Sequence, residues 1–453
     1  MPTKVQKLDF YRPAEEIFEI YQDEPMAVFL DSSLYNQNGR YSIIGLHPYL
    51  ILEETDGICR MNGRKQEEPL EILLQQYLEK YKEKNPFPLP LISGALGYFS
   101  YDYGRKFEHI STRHPKKLNI PDALFAFYDT MILEDKETET LYITARGEKS
   151  PAGQAVWQIQ EQIKNIKAVE KPPRHTQAAD YVPDCTKEEY KKSIEKVISY
   201  ITEGDIYIMN MTRQITIESR KKPYDVYRYL RTYNPSPFGG YFQCGDFQII
   251  SASPERFLQV QEGRIQTRPI KGTRKRGAGP QEDAALKKEL EQSSKDHSEL
   301  LMIVDLERND LNHVCCPGSV QVTEHFAVET YASVFHLVST IIGKLQENVS
   351  YTDIIPAAFP GGSITGAPKI RAMELIDELE HSRRNLYTGS MGYFSLDGNC
   401  DLNIIIRTAV HQHGKYYVGA GGGITCESDT EFEYEETLQK AQALLEAMAE
   451  DIE

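Results

Sequence analysis

The chain has scattered cysteines, a single tryptophan and no long apolar run. None of its seven cysteines forms a Cys-x-x-Cys pair, so neither a zinc site nor a disulfide framework is predicted, and free thiols in a reducing compartment are expected. No apolar stretch approaches the roughly 20 residues of a membrane helix. The first residues, MPTKVQKLDFYRPAEE, have no apolar signal-peptide core. We therefore expect a cytoplasmic protein without a membrane partner.

Positive charge is also in short supply, because the 453 residues carry a formal net charge of −16. Nucleic acid is therefore not expected as a main partner, since phosphate binding requires a basic face. With 40% hydrophobic and 26% charged residues, the composition is typical of a soluble globular protein with a substantial core. The length allows two or three domains or one large one.

One short segment is basic despite this balance. In TRPIKGTRKRG (267–277), five of the eleven residues are cationic, and Lys271 lies between an isoleucine and a glycine. A local basic segment on an acidic chain is typical of a site for a small anion. A solvated loop is the other interpretation, and the segment alone does not separate the two.

The order of predicted elements indicates an α+β fold. Thr186 and Glu189 form a capping box for a helix that ends at Gly204. Asp397-Gly398 is typical of a hairpin turn between GSMGYFSL and DLNIIIRTAVH. Strands are predicted at 40–46, 140–145, 206–218, 247–253 and 415–424, and helices at 70–84, 154–167, 281–309, 367–379 and from about 430. Strands grouped in hairpins with helices between the groups predict mainly antiparallel sheets. The Pro-rich stretch KAVEKPPRHTQAADYVPD is the predicted domain boundary.

Two pairs of carboxylates have helical spacing. Asp296 and Glu299 lie three residues apart, as do Glu433 and Glu436, so each pair shares one helix face. If the two pairs faced each other, they would repel unless a cation lay between them, and an all-oxygen ligand set suits Mg²⁺. Solvated acidic faces are the alternative on so acidic a chain.

Glycine-rich segments and one further acid complete the candidates. FPGGSITGAPK (359–369) does not match a phosphate-binding loop, but its backbone N–H groups and the hydroxyls of Ser363 and Thr365 favour a carboxylate. GAGGGI (419–424) lacks the spacing of a dinucleotide site, and its glycines indicate either close approach of the backbone to a ligand or a tight turn. In SASPERF (251–257), Glu255 could pair as an acid with Lys271 as a nucleophile. A surface pair of Glu255 with Arg256 is the alternative.

From about 186 to 448 the chain resembles the chorismate-utilising enzymes. The matching stretches are GDIYIMNMTRQ, NPSPFGGYF, SPERF, TRPIKGTRKRG, MIVDLERNDL, FPGGSITGAPK, LYTGSMGYF, NIIIRT and GAGGGI. The resemblance implies large, mainly antiparallel β-sheets packed as a sandwich core with surrounding helices. It also implies an N-terminal anthranilate-synthase-like domain (1–175) and a chorismate-binding catalytic domain (180–453).

Within the family, Lys271 indicates the reaction. Anthranilate synthases show Ala at this place, whereas aminodeoxychorismate synthases commonly carry Lys. The resemblance implies that Lys271 attacks C2 of chorismate while Glu255 protonates the departing C4 hydroxyl, and that ammonia then gives 4-amino-4-deoxychorismate for 4-aminobenzoate and folate synthesis. Attack requires a neutral amine. For lysine to be neutral near pH 7, its pKa must fall by roughly 3 units from the usual value, which corresponds to about 4–5 kcal/mol. Partial burial beside four cations is expected to lower the pKa of Lys271, and these cations are Arg268, Arg274, Lys275 and Arg276.

The resemblance also implies a metal site. Glu299 and Glu436 should bind Mg²⁺ directly, with Asp296 and Glu433 acting through water. Asp296 departs from the family, which usually has Glu there, and its shorter side chain fits a water-mediated contact.

Chorismate itself should be held by several segments. Arg407 is expected to bind the enolpyruvyl carboxylate as a bidentate fork. The full set of implied substrate-binding residues is Gly272, Thr273, His336, Ser363, Tyr387, Arg407, Gly421 and Gly423. Ile208 departs from the family: isochorismate and salicylate synthases have a water-activating Lys there, and the amine-forming enzymes usually have Gln. A hydroxylating reaction is therefore not expected.

The motif FLDSS implies a tryptophan site at Leu30, Asp31 and Ser32, because related chains hold tryptophan between sheets there. The family usually shows Glu-Ser at this place, so Asp31 is a departure.

Partners follow from what the chain does not contain. It shows no glutamine amidotransferase motif, so a separate amidotransferase subunit is expected to form a heterodimer and supply ammonia. No lyase domain is recognised, so a downstream aminodeoxychorismate lyase is expected. Two other interpretations remain open: an anthranilate synthase component I, which would release pyruvate, and a non-catalytic chorismate or tryptophan sensor, which would bind without turnover.

Overall fold

The computed structural model describes residues 2–175, 177–331 and 334–450. The ends of the two predicted domains, residue 1 and residues 451–453, lie outside this range, as does Thr176 of the Pro-rich stretch at the predicted domain boundary. Within it the chain forms 22 strands, linked by hydrogen bonds into one antiparallel sheet system, and 11 α-helices. The predicted α+β class, with large antiparallel sheets and surrounding helices, is confirmed.

The strands of the N-terminal third are β1 (Lys4–Lys7), β2 (Val28–Asp31), β3 (Tyr41–Thr55), β4 (Ile58–Met61), β5 (Arg64–Lys65), β6 (Gly94–Phe99), β7 (Ala123–Asp135) and β8 (Thr140–Ala145). Those that follow are β9 (Val182–Pro183), β10 (Ile208–Glu218), β11 (Gly239–Gln243), β12 (Phe247–Ser251), β13 (Arg256–Gln261), β14 (Arg264–Thr267), β15 (Ile270–Lys275), β16 (Gln321–Thr330), β17 (Val334–Lys344), β18 (Gly366–Ala367), β19 (Ser390–Ser395), β20 (Cys400–Asn403), β21 (Thr408–Gln412) and β22 (Lys415–Ile424).

The helices are α1 (Ala14–Phe18), α2 (Leu70–Lys80), α3 (Tyr101–Gly104), α4 (Ala152–Lys164), α5 (Lys187–Glu203), α6 (Pro223–Tyr233), α7 (Pro280–Gln292), α8 (Ser294–Asn312), α9 (Tyr351–Ala358), α10 (Lys369–Leu379) and α11 (Thr430–Ala447). A short 3₁₀ helix covers Gly362–Ile364. None of the helices in the described ranges is long and apolar enough to cross a membrane.

Local sequence signals explain where several helices begin and end. The predicted capping box of Thr186 and Glu189 opens α5, and Gly204 closes it with φ at 89°, a left-handed conformation that glycine adopts without steric cost. The predicted helix over 281–309 is two helices, because Ser293 ends α7 and its side chain accepts a hydrogen bond from the Asp296 N–H to cap α8.

Strands from both sides of the predicted domain boundary pair with each other. β2 pairs with β11 and β6 pairs with β19, both antiparallel. The boundary itself stays a prediction, but the sheet runs across it. The hairpin at Asp397-Gly398 is confirmed as β19–β20. Its second strand is shorter than predicted, since the chain leaves the ladder at 404–407 and Arg407 takes a φ of 50°.

Two strands at the centre set up the functional region. β10 and β22 pair along their whole length, with Thr212 opposite Gly421, and α11 packs against β22. β15 pairs with β17, with Lys271 opposite Leu337 and a shift of register before Thr273. Gly272 lies in this shift with φ at 75°, which is the conformation that a glycine bulge requires.

Candidate active site

The predicted catalytic lysine lies where three segments meet. Lys271 Nζ donates a hydrogen bond to the backbone oxygen of Ser363 at 3.1 Å. A Cβ added to Gly423 would lie 3.4 Å from Lys271 Nζ and 3.5 Å from Ile208 Cδ1. The amine therefore lies beside the glycine strand β22, the 3₁₀ turn and the start of β10.

Glu255 is a buried acid next to this lysine. Its side chain is 6% exposed, and burial raises the pKa of its carboxyl, while the hydrogen-bonded Ser363 hydroxyl and the charge of Lys271 act in the opposite direction. The Ile270 N–H is a further hydrogen-bond partner. A carboxyl with a raised pKa at this place is suited to donate a proton.

The basic segment is not a free patch of positive charge. Three of its arginines form ion pairs with carboxylates, which are Arg268–Glu329 at 2.6 Å, Arg274–Asp296 at 3.0 Å and Arg276–Asp283 at 2.6 Å. Lys275 is exposed. Each of these arginines has an anionic partner at contact distance that offsets its charge, and the expected action of the cations on Lys271 stays a prediction.

His336 faces the other side of the bulge. Its Nδ1 lies 2.8 Å from the hydroxyl of Thr273. Burial and the nearby charge of Arg407 lower the pKa of the ring to about 4. The imidazole is therefore neutral at pH 7, and it can contact a ligand without adding charge.

Arg407 is the most distinctive charge in the site. Burial lowers the pKa of its guanidinium, and the neighbouring Tyr387 acts in the opposite direction. Within residues 2–175, 177–331 and 334–450, no carboxylate forms an ion pair with it, unlike the arginines of the basic segment. A partly buried guanidinium without an anionic partner is unfavourable unless an anion completes it, so this geometry favours an anionic ligand.

Tyr387 beside Arg407 depends on a glycine. A Cβ at Gly419 would lie 2.2 Å from the Tyr387 ring, closer than any side chain tolerates, so only glycine at 419 admits the ring in this place. Burial raises the pKa of the phenol, which is therefore neutral. Close approach of the Tyr387 ring therefore explains the first glycine of GAGGGI.

One of the two predicted carboxylate pairs lies against the glycine strand β22. Glu433 and Glu436 lie against Gly422, where a Cβ would be 3.1 Å and 2.4 Å from their respective Oε2 atoms. Glu436 pairs with Lys440 at 3.0 Å, and Glu433 accepts from the Ser428 hydroxyl at 2.7 Å. Lys440 also donates to the Gly421 oxygen at 2.8 Å.

Glu299 completes this group from α8. Burial raises the pKa of its carboxyl, while Lys271 lowers it and the charges of Asp296 and Glu436 add to the increase. Asp296 lies against Gly272, whose Cβ would be 2.8 Å from Asp296 Oδ1. Among the described residues, no three or more His, Cys, Asp or Glu are arranged closely enough to hold a metal ion. The chemistry of the donors, all carboxylate and mutually repelling, nevertheless fits Mg²⁺.

A cavity lies apart from Lys271. It measures about 850 Å³, and Leu30, Asp31 and Ser32 are part of its lining. Burial acts to raise the pKa of the Asp31 carboxyl, but the charges of Arg231 and Lys136 hold this pKa below its usual value. The carboxylate already binds Arg231 Nε at 3.0 Å, so the wall of the predicted tryptophan site is a formed ion cluster. The bound ligand stays a prediction.

The sequence analysis missed one buried acid near the site. Glu307, in the MIVDLERNDL motif, is 7% exposed, and burial with the nearby Glu255 raises its pKa to about 8. Helical spacing does not distinguish it from the solvent-facing acids of α8. Its distance of three positions from Asp310, which is also buried, was the available signal.

Comparison with known proteins identifies the family of the chain. Residues 29–446 match the family model described as chorismate binding enzyme. Aminodeoxychorismate synthase component 1 of Klebsiella aerogenes is 37% identical, with 96% of this chain and 97% of that protein aligned. Anthranilate synthase component 1 of Thermus thermophilus is 35% identical, with 97% and 96% aligned. The crystal structure of anthranilate synthase component I from Streptococcus pneumoniae superposes with a TM-score of 0.82 at 30% identity, covering 91% of this chain and 93% of that one.

The family match spans nearly the whole sequence and includes every segment that meets at Lys271. Relatives of two different activities lie at almost the same identity, so overall similarity does not choose the product. The substrate class is common to the family, and the chain belongs to the chorismate-binding enzymes.

Proposed function

We propose that this chain is component I of an aminodeoxychorismate synthase. The observation that carries the proposal is the place of the Lys271 amine, at the meeting of β15, β22 and the 3₁₀ turn, with Glu255 near enough to influence it electrostatically. An amine nucleophile beside a buried acid allows a covalent route in which one group bonds to the ring and the other supplies a proton.

The steps balance as follows. Lys271 in its neutral form attacks C2 of chorismate, the C4–oxygen bond breaks, and Glu255 protonates the departing hydroxyl so that it leaves as water. Ammonia then bonds to C4 and expels the lysine amine from C2. The product is 4-amino-4-deoxychorismate, which keeps its enolpyruvyl group.

Substrate binding is assigned to the groups around His336 and Arg407. The unpaired guanidinium of Arg407 binds the enolpyruvyl carboxylate in the bidentate manner, with the Tyr387 hydroxyl beside it. The neutral His336 lines the ring side together with Thr273. Backbone N–H groups of Gly421–Gly423 and Ser363 complete the contacts.

Magnesium is the proposed cofactor. Glu299 and Glu436 would hold it directly, and Asp296 and Glu433 would hold its water ligands. When bound, Mg²⁺ would stabilise negative charge on the ring carboxylate. In the present geometry Arg274 pairs with Asp296 and Lys440 pairs with Glu436. These ion pairs would have to open for the carboxylates to bind the metal.

Ile208 favours amination over hydroxylation. Its apolar side chain is 1% exposed and approaches the same glycine as Lys271 Nζ. Isoleucine has no group that can remove a proton from water. Ammonia, rather than an activated water, is therefore the proposed second nucleophile.

A separate glutamine amidotransferase subunit is the proposed source of ammonia, and an aminodeoxychorismate lyase the proposed consumer of the product. In vitro, free ammonium should replace the amidotransferase subunit.

Anthranilate synthase component I is the second candidate. It is favoured by the relatives of that name and by the superposition on the Streptococcus pneumoniae structure. It would add ammonia at C2 and release pyruvate. A non-catalytic sensor has no support among the relatives reported above.

The test is turnover of chorismate by the purified chain with Mg²⁺ and ammonium. We expect a product of amino-substituted chorismate mass and no pyruvate, and Lys271→Ala should lose at least a hundredfold in rate. Lys275→Ala is the matched control, because Lys275 lies exposed on the same strand. Anthranilate with an equal amount of pyruvate would assign the second candidate and refute the role of Lys271.

A further inference from the structure

Glu307 lies beneath the site on the same helix as Glu299. It is buried beside a small cavity of about 10 Å³, whose lining includes Phe257, Thr267 and Gly362. This volume is at the lower limit for one water molecule. None of the roles proposed above uses this carboxyl.

The hydrogen bonds around Thr267 indicate which protonation state Glu307 has. Thr267 Oγ1 lies 2.7 Å from the Phe257 carbonyl oxygen and 2.9 Å from Glu307 Oε2. A carbonyl can only accept, and a hydroxyl has a single proton. Thr267 therefore donates to Phe257, and the contact with Glu307 is a hydrogen bond when the carboxyl of Glu307 supplies the proton.

The Phe257 carbonyl has a reason to need this donor. β13 and β20 shift register between Arg256 and Leu258, so Phe257 lies in a bulge where the ladder is interrupted. The chain from Glu307 through Thr267 to Phe257 thus satisfies a buried polar group next to the catalytic segment.

The same chain reaches the surroundings of Glu255. Phe257 lies two residues after Glu255, and Thr267 lies three before Ile270, whose N–H is bonded to Glu255. A Cβ at Gly362 would be 3.4 Å from Glu307 Cγ, and the next residue is Ser363, the other partner of Glu255. Both acids are therefore held by the same segments.

The charged groups that face Glu307 do not favour its ionisation. Glu255 and Asp310 are acids, and Lys369 is already paired with Asp310 at 2.7 Å and donates to the Ala358 oxygen at 3.2 Å. Burial is the largest cause of the raised pKa of Glu307, and both acids add to it while Thr267 and Lys369 oppose it. The opposing effect of Thr267 applies to a hydroxyl that donates to the carboxylate, and the contact with the Phe257 carbonyl competes for that single proton.

We propose that Glu307 is a neutral carboxylic acid that positions Glu255. Its O–H donates a hydrogen bond to Thr267, and Thr267 donates to the carbonyl of Phe257 in the bulge two residues after Glu255. When Glu307 ionises, this hydrogen-bond chain is lost and a second negative charge is placed near Glu255. The inference about Glu255 rests on the proposed function, whereas the protonation state of Glu307 does not.

The protonation state is tested by infrared spectroscopy of the full chain. The wild-type protein at pH 7 should show a protonated-carboxyl C=O band that Glu307→Gln lacks and that disappears as the pH rises above about 8. Glu347→Gln, at an exposed position, is the control and should leave the band intact. A spectrum unchanged by Glu307→Gln would overturn the proposal whether or not chorismate is turned over.

The positioning role is tested by the dependence of kcat on pH. Gln can donate from Nε2 to Thr267 and should keep kcat within a few-fold at pH 7, while removing a decline near pH 8. Met has a similar size but no donor, and it should lower kcat at least tenfold with little change in KM. Equal losses in the Gln and Met variants, or a decline near pH 8 that persists in Glu307→Gln, would refute the role.

Discussion

Replacing Glu307 by Gln should change how the stability of the protein depends on pH. In the folded protein, burial raises the pKa of this carboxyl to about 8 from its ordinary value of 4.5. A carboxyl with a raised pKa in the folded state does not lower the free energy of unfolding when the pH is below the pKa of the unfolded state. The destabilisation grows as the pH rises and is complete above the pKa of the folded state. The window for this effect is therefore pH 4.5 to 8.

The magnitude follows from the size of the shift. At 1.36 kcal/mol per pKa unit, ionisation of Glu307 lowers the free energy of unfolding by on the order of 3–5 kcal/mol between the two ends of the window. Unfolding entropy of about 2 cal/mol/K per residue makes 1 kcal/mol equal to about 1 °C in Tm for a chain of this length. Gln carries no titratable group, so the Tm advantage of Glu307→Gln should widen by about 3–5 °C from pH 5 to pH 8.5.

The assay is thermal unfolding of wild type, Glu307→Gln and Glu347→Gln in matched buffers across that range. The exposed Glu347 control should run parallel to the wild type at every pH. A Tm difference between Glu307→Gln and the wild type that stays constant with pH would show that Glu307 has the same charge in the folded and unfolded states. The reasoning from burial would then fail.

Three further outcomes are expected. Gly419→Ala places a methyl group inside the Tyr387 ring contact and should destabilise the protein by about 1–3 kcal/mol; an unchanged Tm would contradict the geometry. Arg407→Met should raise KM for chorismate about tenfold to a hundredfold, because a charge-assisted hydrogen bond is lost; an unchanged KM would remove Arg407 from the binding site. Glu299→Gln should raise the Mg²⁺ concentration for half-maximal activity at least tenfold, whereas an unaltered requirement would place the metal elsewhere.

Much of the fold could be predicted from local patterns. The α5 capping box, the Gly204 stop, the Asp397-Gly398 hairpin and the long final helix all depend on residues within a few positions of each other. Two of the errors of extent, at Ser293 and at 404–407, are places where a side-chain cap or the surroundings of Arg407 interrupt a continuous pattern. Periodicity does not register such interruptions.

The sequence by itself determined the family, the candidate residues and the chemistry that they make available, because those depend on residue type and spacing. Only the tertiary structure decided which charges act on which. It paired the arginines of the basic segment with carboxylates, left Arg407 without one among the residues that the structure describes, enclosed Asp31 in an ion cluster and buried Glu307 next to Glu255. Charge and protonation depend on distance and burial, and these are set by segments that lie far apart in the chain.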